Sequence, residues 1–284
     1  MKPNKRFIGK PKAFWATVRS VSQKVGYSKG DHIVVPKTSD LKNAFYQMNL
    51  NPDGLEVKGV PTALAVDLMD YFGERSKVLV EEAKPSLMNA DEAKEEFSKL
   101  RNGYVPQCAM PMNKQKGKKK AEAYLTGIVN MMIEQYSSGL PCDYDPRELT
   151  NVIRDGLPLR TLSRRLDGAF PSITNPIAVW EIKEYYYTTT FGSRVAGGVY
   201  ETLLDGMEIE EMRENEHIDI KHYLMVDGYY TWWECGKSYL CRLFDILHMG
   251  YVDEILLGKQ VISEMPRIVG EWVSKYRSED NGKE

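Results

Sequence analysis

Asp167 lies fourteen residues upstream of Glu181-Ile182-Lys183, so one stretch carries two carboxylates and an ammonium. Residues 177–190, Ile-Ala-Val-Trp-Glu-Ile-Lys-Glu-Tyr-Tyr-Tyr-Thr-Thr-Thr, are dense in β-branched and aromatic types and predict a strand. Side chains alternate along a strand, so Glu181 and Lys183 share one face, while Trp180 and Ile182 share the other. This donor set suits metal-assisted hydrolysis of a phosphodiester. Two carboxylates can hold Mg²⁺, a cation that takes oxygen ligands and keeps several waters. The metal polarises the phosphate and lowers the pKa of water. The lysine positions that water and offsets the transition-state charge.

An acid-x-Lys triplet alone carries little information. The chain has others: Asp40-Leu-Lys42, Glu56-Val-Lys58, Glu82-Ala-Lys84, Glu92-Ala-Lys94 and Asp219-Ile-Lys221. The triplet at 181 differs in three ways. It lies in the most strand-like stretch, it has an Asp-Gly upstream at an expected strand end, and a helix and another strand follow it. In these features Asp167…Glu181-Ile182-Lys183 resembles the PD-(D/E)xK nuclease superfamily, which includes many restriction endonucleases. The resemblance implies metal-ligand roles for Asp167 and Glu181 and a catalytic role for Lys183. It also implies a further acid on the helix before the first core strand, with Glu122 the best match and Glu134 the second. The customary Pro before the Asp is replaced by Leu166.

From the same resemblance come an α/β (α+β) fold with a restriction-endonuclease-like mixed sheet flanked by helices, Mg²⁺ as cofactor, double-stranded DNA as substrate, and a homodimer that cuts both strands. The expected activity is that of a type II restriction endonuclease. A structure-specific or repair nuclease is the alternative within enzymes. Outside enzymes, the alternative is a DNA-binding or scaffold protein whose acids and lysine are only surface groups.

The elements that must position these residues are legible in outline. Phe14, Val18, Val21 and Val25 recur at helical spacing, as do Leu41, Phe45 and Met48, and then Leu64, Leu68, Met69 and Phe72. Residues 89–100 form a charged amphipathic stretch. Leu125, Ile128, Val129, Met132 and Ile133 mark a helix that stops near Gly139-Leu-Pro141. Beyond residue 157 a strand is expected to end at Asp167-Gly168. After the 177–190 strand come a helix from about Ser193, a strand or a hairpin turning at Asp227-Gly228, and a helix from Leu240 through Ile255. A closing helix carries Ile268, Val269, Trp272 and Tyr276. This divides the chain into a mainly helical, DNA-contacting region at 1–110 and a nuclease core at 111–284.

Composition narrows the function classes further. The 284 residues are 27% charged and 42% hydrophobic with net charge −2, values of an ordinary globular protein. No apolar run reaches the roughly 18 residues that a membrane span needs, and no signal-peptide core follows the basic start, so a cytoplasmic location is expected. The four cysteines form no CxxC pair and are expected to be reduced. There is no GxSxG, Walker or GxGxxG motif, and the four histidines are scattered. Residues 1–60, however, hold eleven Lys/Arg against four acids. A second basic cluster comprises Lys114, Lys116, Lys118, Lys119 and Lys120. Such patches attract phosphate backbones. Phe7, Phe14, Trp15 and Tyr27 are interleaved and are candidates either for stacking on bases or for the core. Arg194, following Thr188-Thr-Thr-Phe-Gly-Ser, is a candidate phosphate contact, with Ser193 or Thr190 the expected cap of the next helix. Replacing Lys116, Lys118, Lys119 and Lys120 by Ala should weaken DNA binding and flatten its salt dependence by about 0.9 per lost phosphate contact in log K against log[salt]. An unchanged slope would remove the cluster from the DNA interface.

Overall fold

The computed structural model describes residues 1–113, 121–187 and 192–281. Three helices open the chain, α1 (Lys12–Val25), α2 (Thr38–Gln47) and α3 (Ala63–Val78). They are followed by α4 (Ala90–Gly103) and α5 (Tyr124–Tyr136). Asn89 caps α4 through its side chain, which accepts from the N–H groups of Asp91 and Glu92, while Glu92 reaches back to the Asn89 N–H. The second half holds β1 (Asp143–Tyr144), a hairpin of β2 (Asn151–Arg154) and β3 (Leu157–Thr161), β4 (Gly168–Phe170) and β5 (Ala178–Glu184). It continues with α6 (Ser193–Asn215), β6 (Lys221–Asp227), α7 (Lys237–His248), β7 (Glu254–Leu257) and α8 (Gln260–Asn281). No helix among the described residues is long and apolar enough to cross a membrane.

Five strands form one mixed sheet in the order β7-β6-β5-β4-β1. β4 runs antiparallel to both of its neighbours, β1 and β5. β5, β6 and β7 are parallel, joined by the α6 and α7 crossovers. Parallel strands are covered on both faces and read as near-continuous apolar runs, as Tyr-Leu-Met-Val in β6 and Ile-Leu-Leu in β7 do. Alternation splits β6 between two cores. Leu224 and Val226 pack with α1–α3, α6 and α7, whereas Tyr223 and Met225 pack with α4, α5 and α8. On the second face Trp180 of β5 stacks on Trp272 of α8 at 5.6 Å and 11°. Gly168 lies directly against Trp180. A Cβ there would fall 2.0 Å from the indole, so the glycine beside Asp167 is required by close packing.

Several expectations change in detail. Asp167 precedes β4 rather than ending a strand, and the residues before it, 157–161, pair instead with β2. β6 runs on parallel to β5 and gives way to a π-helical turn at Tyr230–Cys235, so Asp227-Gly228 is not a hairpin. Ile255 belongs to β7, not to the preceding helix. At Ile255 an apolar run suits a buried strand and a buried helix equally well, and in all three places pairing decides.

The N-terminal helices share one core with the sheet layer. Phe7, Phe14 and Trp15 are buried around Tyr71 in edge-to-face contacts, which removes them from base stacking. Tyr27 is half-buried, with the Arg75 and Arg242 guanidinium groups over its ring. Arg6 pairs with Asp70, and Lys10 with Asp67, so part of the N-terminal basic excess is neutralised in place. α4 packs on α5, and Ala93 and Phe97 join the same core as Tyr124, Leu125 and Ile128. The expected division at 110/111 falls between these two packed helices. All four cysteines are free thiols.

One polar group ties α3 to α7. Asp245 accepts from Tyr71 Oη at 2.6 Å and from Arg75 Nη1 at 3.2 Å, and all three residues are buried. Replacing one partner of a buried pair leaves an uncompensated charge, which costs about 3–5 kcal/mol. Asp245→Ala should therefore lower the urea unfolding free energy by that amount. A loss below about 1 kcal/mol would show that the pair does not hold the two regions together.

Candidate active site

β4 and β5 pair only over Gly168–Phe170 and Ala178–Trp180. Beyond that point the strands part, and residues 181–184 keep β6 as their strand partner on the other side. Asp167 sits in the opening. Its N–H donates to Trp180 O at 3.1 Å, and its Oδ2 accepts from Ile182 N–H at 2.6 Å. The three residues singled out by spacing are thus brought together: Asp167 before β4, Glu181 and Lys183 on the adjoining stretch of β5.

Glu181 is only 1% exposed. Its Oε2 accepts from Lys183 Nζ at 2.7 Å, and Lys183 Nζ also donates to Glu201 Oε2 of α6 at 2.7 Å. Arg164 Nη1 lies 2.8 Å from Glu181 Oε1 and 2.6 Å from Asp205 Oδ2, one helical turn beyond Glu201. The Arg164–Glu181 approach lacks hydrogen-bond direction. The buried oxygens Glu181 Oε1 and Asp205 Oδ1 therefore have no hydrogen-bond donor among the described residues. α6 comes this close because Gly198 faces the lysine. A Cβ there would sit 3.3 Å from Lys183 Cδ and 3.0 Å from Tyr185 Oη.

Four carboxylates face two cations in this cluster, and the excess is visible in their protonation. Asp167 is pushed up to about 6, by burial first and by the Glu181 charge second. Asp205 is pushed up to about 7 by the same two causes, against Arg164. Burial alone would lower Lys183, but Glu181 and Glu201 outweigh it and raise it, so the ammonium stays charged. Arg164, Glu201 and Asp205 were not singled out by the sequence. The available signal was the i, i+4 spacing of Glu201 and Asp205 just after Gly197-Gly198, and it identifies a helix face only once the helix is docked.

Glu122 does not join this group. It precedes α5 rather than lying on it, bridges to Met112 and pairs with Arg101 of α4. Glu134, the other candidate, accepts from the Gln107 N–H. Among the described residues no three His, Cys, Asp or Glu side chains are grouped to cage a metal. Asp167 and Glu181 remain as an adjacent pair. Two adjacent carboxylates suit a divalent cation that takes one or two carboxylates and fills its other positions with water and phosphate.

Of the DNA-contact candidates, Lys116, Lys118, Lys119 and Lys120 lie outside the described residues, as does Thr190. Arg194 is exposed, with its guanidinium 5.2 Å from the Tyr185 ring. The N-cap of α6 is Gly192, with no side-chain hydrogen bond, so Ser193 does not cap it. The other strand-region triplet is inert in its surroundings. Lys221 pairs with Asp219 and Asp253, while Glu208 accepts from Ser163 and Glu211 pairs with Arg160.

On the opposite face of β5, a cavity of about 500 Å³ opens between the parted strands and α5. Glu184 borders it, accepting at 3.1 Å from both the N–H and the hydroxyl of Thr126 in the first turn of α5. Burial pushes Glu184 up to about 7, against those hydrogen bonds. Asp227, its register neighbour on β6, also reaches about 7 through burial, although Tyr186 Oη donates to it. The ordinary values are 4.5 and 3.8. A carboxyl raised in the folded state stabilises the fold fully below its unfolded value, and that contribution disappears as pH rises through the folded value. Between pH 4 and 7 the wild type should therefore lose stability relative to Glu184→Gln and Asp227→Asn in urea titrations. Parallel curves for wild type and variants would contradict the raised values.

A family model described as Domain of unknown function (DUF7687) matches residues 88–272, which include the whole sheet and every member of the charged cluster. A second, Domain of unknown function (DUF7690), matches residues 1–82. No curated protein and no solved structure matches the chain. With its larger match spanning well over half its length, the chain belongs to the DUF7687 family.

Proposed function

We propose that this chain is a Mg²⁺-dependent endodeoxyribonuclease of the PD-(D/E)xK kind, acting on double-stranded DNA as a type II restriction endonuclease does. The observation that carries the reading is the meeting of Asp167 with Glu181 and Lys183 where two antiparallel strands part. Supporting it is the order of elements: helix α5, antiparallel β1, β4 and β5, the α6 crossover and parallel β6. That order makes a mixed sheet flanked by helices, as the sequence resemblance implies. A homodimer acting in the cytoplasm belongs to the same proposal.

Asp167 and Glu181 would hold the metal, which when bound supplies Lewis-acid polarisation of a phosphoryl oxygen and a lowered pKa for water. The chain's own groups do the rest. Lys183, charged and buried, aims its ammonium along the Glu181 face, where it orients the attacking water and offsets charge growing on the phosphate. Glu201 and Glu181 together hold Lys183 in one position, so no reorganisation is needed during reaction. Arg164 fixes the far oxygen of Glu181 and balances Asp205. With Glu122 turned to Arg101, the remaining coordination falls to water and to the substrate.

A second reading has its own observation: each oxygen of Glu181 lies against a cation, which suits a purely structural ion network in a DNA-binding or scaffold protein. Single-turnover cleavage of plasmid DNA at saturating protein and Mg²⁺ separates the two, because it isolates chemistry from binding. Lys183→Ala should lower the rate by about 10²–10³-fold or more while DNA binding persists. Asp167→Asn and Glu181→Gln should act through metal affinity, with partial recovery at high Mg²⁺. Lys221→Ala should stay within a few-fold. Absence of nicking by the wild type with any divalent metal would support the structural network. An inactive Lys221→Ala beside an active Lys183→Ala would move the site to the other triplet.

A further inference from the structure

The cavity beside Asp167 is not used by the chemistry proposed above. It shares Asp167 and Ile182 with that site but lies on the other face of β5, toward α5. Its volume, about 500 Å³, is within the range of small-molecule sites. That is room for one nucleoside.

Its lining is of two kinds. Tyr144, Tyr186 and Tyr187 line it, and the Tyr186 and Tyr187 rings stand edge to face at 6.5 Å. Its polar side chains are Asn113, Thr126, Asn130, Asp145 and the buried Glu184, with Asp167 at the junction with the charged cluster, and Arg194. The Asn130 amide combines donor and acceptor, and one of its N–H groups reaches Ala109 O at 3.3 Å. Burial pushes Glu184 up to about 7, and a carboxyl accepts when ionised and can also donate when protonated. Aromatic walls with a small number of donors and acceptors fit a flat heterocycle. They fit a fatty chain poorly, because of the buried carboxyl.

Position supplies the rest of the argument. A phosphodiester held at Asp167, Glu181 and Lys183 has its own nucleoside one bond away, and the cavity opens at Asp167. We propose that this cavity receives one unpaired nucleobase of the substrate strand, that of the nucleotide beside the scissile phosphate, stacked on the tyrosines and read by Asn130, Thr126 and Glu184. Enzymes that read a base in this way take it out of the helical stack and recognise its pairing edge between aromatic side chains. The inference rests on the nuclease reading for the identity of the substrate, but base binding can be measured without cleavage.

The test uses the full chain in EDTA, so that no hydrolysis intervenes. Binding of the four deoxynucleoside 5′-monophosphates and of 2-deoxyribose 5-phosphate, which lacks the base, is followed by NMR saturation transfer. The nucleotides should bind at least about tenfold more tightly than the sugar phosphate, with saturation strongest on base protons. This tenfold difference corresponds to about 1.4 kcal/mol. Ala109→Trp, which places a ring in the cavity from an exposed lining position, should abolish that preference. Tyr187→Ala, which removes one wall, should reduce it, and Lys221→Ala, away from both sites, should retain it. Equal binding of nucleotides and sugar phosphate overturns the proposal, as does an unchanged preference in both cavity variants. If the base preference is present and responds to the cavity variants while wild type never nicks DNA, the nuclease reading fails and the cavity stands. If Lys183→Ala abolishes cleavage but no base preference exists, the cavity proposal fails alone.

Discussion

A buried carboxylate in the middle of a sheet must be neutralised, and the arrangement around Glu181 follows from that requirement. An isolated ionised group in an apolar layer costs far more than a typical domain can tolerate. Lys183 on the same strand and Arg164 from the segment before Asp167 meet the charge from two sides. These cations recruit further acids, Glu201 and Asp205, from the crossover helix. The helix can deliver them only because Gly198 lets its backbone approach the lysine, and Asp167 reaches the same place only because Gly168 lies flat against Trp180. Burial first and the charge of Glu181 second push Asp167 and Asp205 above the usual carboxylate range.

The parting of β4 and β5 gives β5 two working faces. Toward α6 the strand presents Glu181 and Lys183; toward α5 it presents Ile182 and Glu184. Asp167 caps the Ile182 N–H at the point of separation and so belongs to both. Had the pairing continued through residue 184, that N–H would have been taken by a neighbouring strand, leaving neither a free carboxylate position nor a cavity. A local lack of backbone pairing is thus what makes room for chemistry in an otherwise covered sheet.

The N-terminal region illustrates how composition and packing diverge. Its basic excess and its aromatic residues together suggest a surface for nucleic acid. Folding takes the two apart. The aromatics go inward around Tyr71, where the buried Asp245 joins α3 to α7, and several of the cations pair with acids on α3. Aromatic residues carry so much apolar area that burial is their default, as around Tyr71, although tyrosines with their hydroxyls, such as Tyr200 and Tyr230, also stand exposed.

Periodicity located α1, α2, α3 and α5 and the start of α6, because each has an apolar stripe at helical spacing; it ran α7 on into β7 and marked only the later turns of α8. It also located β5, whose β-branched and aromatic density is unmatched elsewhere, and on it the pair Glu181 and Lys183. Short or fully buried strands escaped: β1 has two residues, β4 three, and β7 is an apolar run that a helix would suit equally well. Their identity comes from hydrogen-bonded neighbours, which are distant in sequence. The same holds for the site. Asp167, Glu181 and Lys183 could be chosen from type and spacing because strand alternation is a local rule. Arg164, Glu201, Asp205 and the turning away of Glu122 depend on how a loop and two helices dock against the sheet, and only the packed structure decides which charges meet.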